Sequence, residues 1–415
     1  MSLAWISVGA LVLAVTLSCT TAINVGVLSL ALALIVGVFL GDMTPRAVLE
    51  GFPTDLLVTL MGVTLLFAIA EVNGTLARLT QRAVRLCRGH AGVLPIMFFT
   101  LGFLLATIGA GATPASALLA PPAMAVAGRA GIPPLLMAIM AGNGALAGTL
   151  SPFAPTGIVA HGVMERIGLG GVEWQTFAYN ALAHALVGFG GFLLFGGWKL
   201  FRRSAMTGVV VRAPEPDAGS METRHWLTTA GIAVLIVSVA GFGLDVGMMG
   251  FIIATALVLL RTVDEGKAIA RMPWGVILMV TGVTVLVAML RETEGLALIT
   301  NGIASVSTPA TIEAVVAFGA GLVSVYSSTS GVVLPAFLPL VPELAARLGV
   351  EPLSIAWSMN VSASLVDLSS LSTVGALFIA GAAPGSDVRK LFNGLLAWGL
   401  SMSVVGAVLC WLLFG

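Results

Sequence analysis

The stretch GFPTDLLVTLMGVTLLFAIAEVNGTLARLT (51–80) recurs in the second half of the chain as RMPWGVILMVTGVTVLVAMLRETEGLALIT (271–300). The copies share a proline and a Gly-Val-Thr run at matching positions, Pro53 with Pro273 and Gly62 to Thr64 with Gly282 to Thr284. Apolar sequence matches itself easily, but paired prolines in a shared order favour an internal duplication. Duplicated halves are typical of membrane transporters.

A second pair of similar stretches follows in the same order. SALLAPPAMAVAGRAGIPPLLMAI (116–139) resembles SGVVLPAFLPLVPELAARLGVEPLSIAW (330–357). Between the two copies lies one long polar segment, RRSAMTGVVVRAPEPDAGSMETR (202–224). We therefore divide the chain into repeat 1 (1–201), a linker (202–224) and repeat 2 (225–415).

The composition places these repeats in a membrane. Of 415 residues, 58% are hydrophobic and only 9% are charged, whereas a soluble domain carries about 25% charged residues. Many stretches reach the roughly 20 apolar residues that a membrane crossing needs. The sequence predicts an all-α polytopic membrane protein surrounded by lipid. The net charge of zero gives no reason to expect a nucleic-acid partner.

Each repeat shows the same order of apolar segments. Three spanning helices come first, then a short polar or amphipathic stretch, a two-armed segment with a Gly/Ser/Thr-rich tip, and two further spanning helices. The spanning helices are predicted at 4–20, 22–40, 54–72, 134–160 and 172–200, and at 226–241, 246–262, 273–290, 353–380 and 390–413. The two-armed segments are 93–128 and 311–346, and 134–160 and 353–380 are broken helices.

The topology follows if the two-armed segments are re-entrant hairpins. Each repeat then crosses the membrane five times, and an odd number makes the repeats inverted. Placing the linker in the cytoplasm leaves only Arg46, Arg166, Arg291 and Arg347 outside, and the other 15 of the 19 basic residues inside. This bias satisfies the positive-inside rule. It predicts a multi-pass protein of the bacterial inner membrane with both termini outside.

Other motifs are few. Cys19, Cys87 and Cys410 have no metal or redox spacing and are interpreted as apolar fillers. The first apolar stretch lacks a basic flank and is interpreted as a retained helix. The chain has no ATP-binding P-loop and no cofactor motif, so we expect an ion gradient, a substrate gradient or a partner to drive transport.

Four interruptions of apolar helices carry the polar chemistry. They read IGAGATPASALL (108–119), AGNGALAGTLSPFAPTG (141–157), VYSSTSGVVLP (325–335) and NVSASLVDLSSLSTVG (360–375). Irregular backbone at membrane depth is tolerated only where protein buries it or a wet cavity solvates it. Taken alone, each interruption is more often a cap or a kink. The symmetric set favours one central site made by both repeats.

The expected ligands follow from helix ends. Helix N-termini offer free N–H groups and positive dipole to a carboxylate, and unwound carbonyls and C-termini suit a cation. No Lys or Arg falls at the four breaks. The predicted cargo is a small organic anion, with Na⁺ or a proton as the coupling ion.

The roles of some polar residues have two possible interpretations. An intramembrane carboxylate is costly and usually functional, so Asp367 is expected to hold Na⁺ or a proton, although it could cap the following helix. Asn143 and Asn360 could contact the substrate or hydrogen-bond between helices. His184 is interpreted as a packed, hydrogen-bonded residue, with a proton relay as the alternative.

The stretch LLAPPAMAVAGRAGIPPLLMAIMAGNGALAGTLSPFAPTGIVAHGVMERIGL (118–169) resembles the signature region of MatC-type malonate/dicarboxylate carriers. Those carriers belong to the ion transporter superfamily, alongside the divalent anion:sodium symporters. The match is strongest over 90–170. The resemblance implies a scaffold domain, a moving transport domain, elevator-type motion and a homodimer.

The resemblance also implies site residues. The related symporters carry a Ser-Asn-Thr motif at each hairpin tip, and this chain has Gly111-Ala112-Thr113 and Ser327-Ser328-Thr329 there. Breaks and resemblance together give two sets of candidates. The candidate substrate contacts are Thr113, Ser116, Asn143, Thr156, Ser327, Ser328, Thr329, Ser330 and Thr373. The candidate cation-site residues are Gly111, Gly144, Gly148, Thr149, Ser362, Ser364 and Asp367.

Two alternatives to a cation-coupled dicarboxylate symporter remain open at this point. The chain could be the large membrane subunit of a TRAP-type, binding-protein-dependent permease, which a neighbouring gene for a binding protein would indicate. It could also be a cation or oxyanion antiporter on the same fold. A membrane enzyme is not expected, because no nucleophile, histidine and acid set falls at membrane depth.

Overall fold

The computed structural model describes residues 2–21, 23–86, 88–207, 211–212 and 220–415. These residues are mostly helical, and the predicted all-α polytopic class is confirmed. Within the described ranges, seven helical segments are long and apolar enough to cross a membrane. They are Thr54–Val72, Glu173–Leu194, Thr223–Phe242, Trp274–Glu292, Thr329–Leu348, Pro352–Ala380 and Val388–Phe414.

The first repeat and the start of the linker form eleven helices. They are α1 (Leu3–Thr20), α2 (Val25–Leu34, continued by the π-helical turn Ile35–Leu40), α3 (Pro45–Leu49), α4 (Thr54–Val72), α5 (Thr75–Leu86), α6 (Leu94–Leu105, continued by the π-helical turn Ala106–Ala110), α7 (Ala112–Ala130), α8 (Pro134–Ala147), α9 (Pro155–Arg166), α10 (Glu173–Leu194) and α11 (Gly197–Thr207). Two short strands, β1 (Arg88–Gly89) and β2 (Val211–Arg212), pair antiparallel.

The second repeat follows the same order. Its helices are α12 (Thr223–Phe242), α13 (Val246–Leu259), α14 (Glu265–Arg271), α15 (Trp274–Glu292), α16 (Gly295–Ser305), α17 (Ile312–Tyr326), α18 (Leu334–Phe337, preceded by the π-helical turn Thr329–Val333), α19 (Val341–Leu348), α20 (Pro352–Leu365), α21 (Thr373–Ala380) and α22 (Val388–Phe414). This repeat also contains two 3₁₀ turns, Leu338–Leu340 after α18 and Val366–Leu368 after α20.

The repeats correspond helix by helix. α4 and α15 each begin directly after the paired prolines. The number of residues from the start of α8 to the start of α9 equals the number from the start of α20 to the start of α21. Equivalent helices also start with equivalent caps. The Asn24 side chain accepts a hydrogen bond from the Gly26 amide at 2.9 Å, and the Asp245 side chain accepts one from the Met248 amide at 2.7 Å. Caps of this kind satisfy amides that a helix start leaves free.

The repeats interlock through two equivalent contacts. α4 packs on α13, and α2 packs on α15. A Cβ added to Gly62 would lie 2.1 Å from the Gly247 carbonyl oxygen, and one added to Gly282 would lie 2.0 Å from that of Gly26. Contacts that exchange equivalent partners are the mark of a two-fold relation. The inversion of the repeats across a membrane stays a prediction, which this pairing supports.

Buried side chains form two hydrophobic cores. The first core is centred on α1–α4, α9, α12–α15 and α19. The second core is centred on α6–α8, α10, α21 and α22. α17 and α20 contribute to both cores, so the boundary between them runs along the second hairpin and the second broken helix.

Several elements differ from the sequence-based prediction. The segment predicted as one helix over 172–200 divides at Gly196, whose φ of +78° ends α10 and turns the chain into α11. The broken helix predicted over 134–160 extends to Arg166. The second arm of hairpin 311–346 is not one regular helix, because Pro335, Pro339 and Pro342 lack the N–H that a helix interior requires.

Part of the segment predicted as a linker is helical. α11 extends to Thr207 and α12 begins at Thr223, so both ends of the segment 202–224 are helical. Residues 208–210 and 213–219 of that prediction, and the prediction for Cys87, lie outside the described residues. Cys410 is buried, in keeping with an apolar filler.

The close approach of the repeats predicts a matched pair of glycine variants. We expect Gly282→Ala to lower the free energy of unfolding by about 1–3 kcal/mol, because the added methyl group overpacks the contact with Gly26. Gly302→Ala, at an exposed position of α16 with no atom within 4 Å of an added Cβ, is the control. Thermal unfolding of both purified variants is the measurement, and equal midpoints would contradict the packing.

Candidate functional site

A cavity of about 480 Å³ lies where the two cores meet. Hydroxyl side chains dominate its lining. The Ser and Thr residues that line it are Ser18, Thr21, Thr113, Thr149, Thr156, Ser327, Ser328, Thr329, Ser330, Ser372 and Thr373. Thr21, Thr113 and Thr373 are exposed, so the cavity is open to solvent on one side.

Four helix starts converge on this cavity. Thr113 lies in the first turn of α7, and Thr156 lies in the first turn of α9. Thr329 begins the π-helical turn before α18, and Thr373 begins α21. Each repeat therefore contributes one hairpin tip and one broken helix. Because each helix start presents N–H groups and positive dipole, the cavity favours a negatively charged ligand.

The hairpin tips owe their shape to local sequence. Gly109 and Gly111 have φ values of +115° and +79°, which side chains rarely adopt, and they separate α6 from α7. At the second tip, Ser327 is extended and the Ser328 hydroxyl accepts a hydrogen bond from the Gly331 amide at 3.0 Å. The two tips are chemically different but border the same cavity.

Asp367 is the one charged residue among the described residues that line the cavity. Its Oδ1 accepts a hydrogen bond from the Thr329 hydroxyl at 2.7 Å, and that hydroxyl lies 2.5 Å from the Ser324 hydroxyl. The Ser372 hydroxyl donates to the Asp367 main-chain carbonyl and also caps α21 by accepting from the Gly375 amide. Asp367 thus connects the second hairpin tip to the second helix break.

A separate buried network lies behind the cavity. The Asn180 Nδ2 group on α10 donates to the carbonyl oxygens of Leu146 and Ala147, at 3.0 and 3.2 Å. Its Oδ1 accepts from the Ser364 hydroxyl on α20 at 2.5 Å. His184 lies between Asn143 and Ser364, at 3.0 and 3.1 Å. The network joins the first broken helix to the second, and His184 is a packed, hydrogen-bonded residue in it.

The structure brings nine of the predicted site residues to the cavity. They are Thr113, Thr149, Thr156, Ser327, Ser328, Thr329, Ser330, Asp367 and Thr373. Two predicted substrate contacts do not line it. Ser116 is fully buried one turn inside α7, and Asn143 donates to the Ile139 carbonyl at 2.9 Å as part of the buried network.

Five predicted cation-site residues also lie away from the cavity lining. Gly144 and Gly148 let α8 approach α6, since an added Cβ would lie 2.1 Å from the Phe99 carbonyl oxygen and 2.7 Å from that of Phe103. Ser362 donates to the Ala317 carbonyl at 2.6 Å, and Ser364 belongs to the buried network. Gly111 shapes the first tip.

Sequence reasoning missed several lining or supporting residues. Ser324 lies directly before the break at 325–335, and Ser372 lies within the break at 360–375. Their hydroxyl groups could have identified them from the sequence. Ser18 and Thr21, near the end of α1, reach the cavity only through packing of distant helices. Asn180 carried one usable signal, an amide inside the otherwise apolar segment YNALAHALVG.

Comparison with known proteins agrees with a carrier. Residues 1–149 match the family model described as "Dicarboxylate carrier protein MatC N-terminus". Among solved structures, the fold is similar to the YdaH transporter of Alcanivorax borkumensis, reported as having an unusual topology. The TM-score is 0.61 at 15% identity, over 88% of this chain and 86% of that chain. A comparison with curated proteins finds no matching sequence.

These findings first define a class: the chain is a polytopic membrane transporter and not an enzyme. Its first 149 residues match the model of the MatC carrier N-terminus, so the resemblance seen in the sequence is confirmed over that part of the chain. The likeness to the YdaH transporter shows the fold alone.

The placement of Thr113 and Ser116 predicts different reactivity for two cysteines on the same turn of α7. In a variant without Cys19, Cys87 and Cys410, Thr113→Cys should react with a water-soluble thiol reagent roughly tenfold faster or more than Ser116→Cys, because Thr113 is exposed and Ser116 is fully buried. Mass spectrometry of the labelled protein is the measurement. Equal rates would contradict the predicted cavity lining.

Proposed function

We propose that this protein carries small organic dicarboxylates, such as malonate or C4-dicarboxylates, into the cell together with Na⁺ or protons. One observation supports this most strongly, the convergence of four helix starts and their hydroxyl groups on a cavity that also contains Asp367. The match of residues 1–149 to the dicarboxylate carrier family supports the same class of cargo.

The lining suits carboxylates without a salt bridge. No Lys, Arg or His occurs among the described residues that border the cavity. Carboxylate oxygens would accept hydrogen bonds from hydroxyl groups and from free amides at the helix starts, where the dipoles favour negative charge. The volume of about 480 Å³ falls in the range of roughly 300–1,000 Å³ that small-molecule sites occupy.

Asp367 gives a physical reason for coupling. A dianion and an ionised carboxylate repel one another in a site with few other charges. A cation bound to the Asp367 carboxylate, or a proton on it, removes that repulsion. Substrate and cation would then bind together more tightly than either binds alone, which is the requirement for symport.

The open side of the cavity supports an orientation. Its exposed lining residues include Thr21, just after the end of α1, and Tyr326, and Val276 lines it near the start of α15. With the linker in the cytoplasm, these ends of α1 and α15 face inward. We therefore propose that the cavity opens to the cytoplasm here and that movement of the second core against the first exposes it outward. Elevator motion, a homodimer and the bacterial inner membrane stay predictions.

Uptake into proteoliposomes tests the proposal. Purified protein should accumulate labelled malonate or succinate when an inward Na⁺ or proton gradient is imposed, and dissipating the gradient should remove the accumulation. The absence of gradient-dependent uptake of either dicarboxylate would contradict it. The same assay excludes the binding-protein-dependent alternative if the purified chain is sufficient.

A substitution of Asp367 tests the proposed cation coupling. We expect Asp367→Asn to lower cation-dependent uptake roughly tenfold or more, because the neutral amide cannot hold a cation or exchange a proton. Glu265→Gln, which removes an exposed carboxylate from α14, is the matched control and should transport normally. Unchanged cation dependence in Asp367→Asn would place coupling elsewhere.

A further inference from the structure

The two helix breaks are equivalent positions in the repeats. Thr149-Leu150-Ser151 corresponds to Asp367-Leu368-Ser369 in the register that aligns the first residue of α8 with the first residue of α20. The backbone confirms the equivalence. A Cβ added to Gly157 would lie 2.0 Å from the Ser151 carbonyl oxygen, and one added to Gly375 would lie 2.0 Å from that of Ser369. Thr149 and Asp367 both line the cavity, so the fold offers two matching places for a cation.

At the first break, the backbone carbonyls already accept hydrogen bonds from other groups of the protein. The carbonyl groups at the end of α8 are those that a cation would need, but Asn180 donates to Leu146 and Ala147. The Leu146 carbonyl also accepts from the Thr149 amide at 3.1 Å. The carbonyls of Gly148, Thr149 and Ser151 accept from the amides of Ser151, Gly157 and Ala154, at 3.0 to 3.1 Å.

Asn180 is fixed in this role. Its side chain is fully buried, and its Oδ1 accepts the hydrogen bond from the Ser364 hydroxyl, so both ends of the amide have partners. Removing Asn180 from the carbonyls would leave a buried amide without partners, which is unfavourable. A cation therefore cannot readily displace it.

The first place also lacks a compensating charge. No Asp or Glu occurs between residues 72 and 164, a range that contains the first hairpin and most of the first broken helix. The second place differs in its charge and in the side chain that donates to its carbonyls. It has the Asp367 carboxylate, and the carbonyls of Asp367 and Ser369 accept hydrogen bonds from the Ser372 hydroxyl. Within the described chain, no side-chain amide donates to the carbonyls of residues 365–369.

From this asymmetry we infer that the carrier holds a single coupling cation, at Asp367, and that the Asn180 amide permanently fills the equivalent position in repeat 1. The inference rests on the proposed function, since it gives the number of cations that are transported with each substrate. It also has an electrical consequence. One monovalent cation moving with a dianion carries net negative charge, so uptake should increase when the vesicle interior is made positive.

The test measures cations per substrate in proteoliposomes with labelled succinate. For whichever of Na⁺ and H⁺ drives uptake, we expect one cation per succinate dianion, a Hill coefficient near one, and faster uptake at an inside-positive potential imposed with K⁺ and valinomycin. Two or more cations per succinate, or no effect or the opposite effect of voltage, would overturn the inference while leaving coupled transport intact. Succinate uptake without any cation dependence would instead overturn the proposed coupling itself.

Two variants separate the equivalent positions. Asp367→Asn should remove the entire cation dependence of succinate binding. At saturating succinate, Thr149→Val should leave the half-saturating cation concentration and the Hill coefficient unchanged. A cation dependence that survives in Asp367→Asn and weakens further when Thr149→Val is added would reveal a second cation and overturn the inference. Binding can be followed by thermal stabilisation, so variants that do not transport still give a result.

Discussion

Backbone groups that stop bonding to one another inside a membrane must find other partners, because lipid supplies none. This constraint organises the protein. Four helices are interrupted, and each interruption is placed where the other repeat, a buried side chain or a solvated cavity can satisfy it. The helix starts then become useful, because they border one cavity that has no Lys or Arg among its described lining residues.

Duplication places the interruptions correctly, and divergence gives them different roles. The swapped contacts of α4 with α13 and of α2 with α15 relate the repeats by a two-fold arrangement. Within that arrangement, the first break is closed by the Asn180 amide and the second carries Asp367. In the proposed site, the anion contacts both repeats, and the charge balance depends on the Asp367 carboxylate of the second repeat.

The sequence predicted the helices better than the contacts of their polar residues. Hydrophobic length and the paired prolines Pro53 and Pro273 were sufficient to predict where α4 and α15 begin, because apolar spans and prolines are local signals. The role of Asn143, Ser362 and Ser364 could not be predicted in this way. A polar residue near a helix break can face the cavity or face another helix, and the rotation of the helix decides which. That rotation is set by distant packing, such as the approach of α8 to α6 at Gly144.

We propose that converging helix starts bind the two carboxylates of a dicarboxylate. Calorimetric titration of the purified protein with succinate and with its dimethyl ester, in the presence of Na⁺ and at low pH without it, distinguishes the charged ligand from its uncharged analogue. We expect succinate to bind in at least one condition and the uncharged ester of the same carbon skeleton not to bind. Equal binding of the ester, or no binding of any dicarboxylate in either condition, would contradict it.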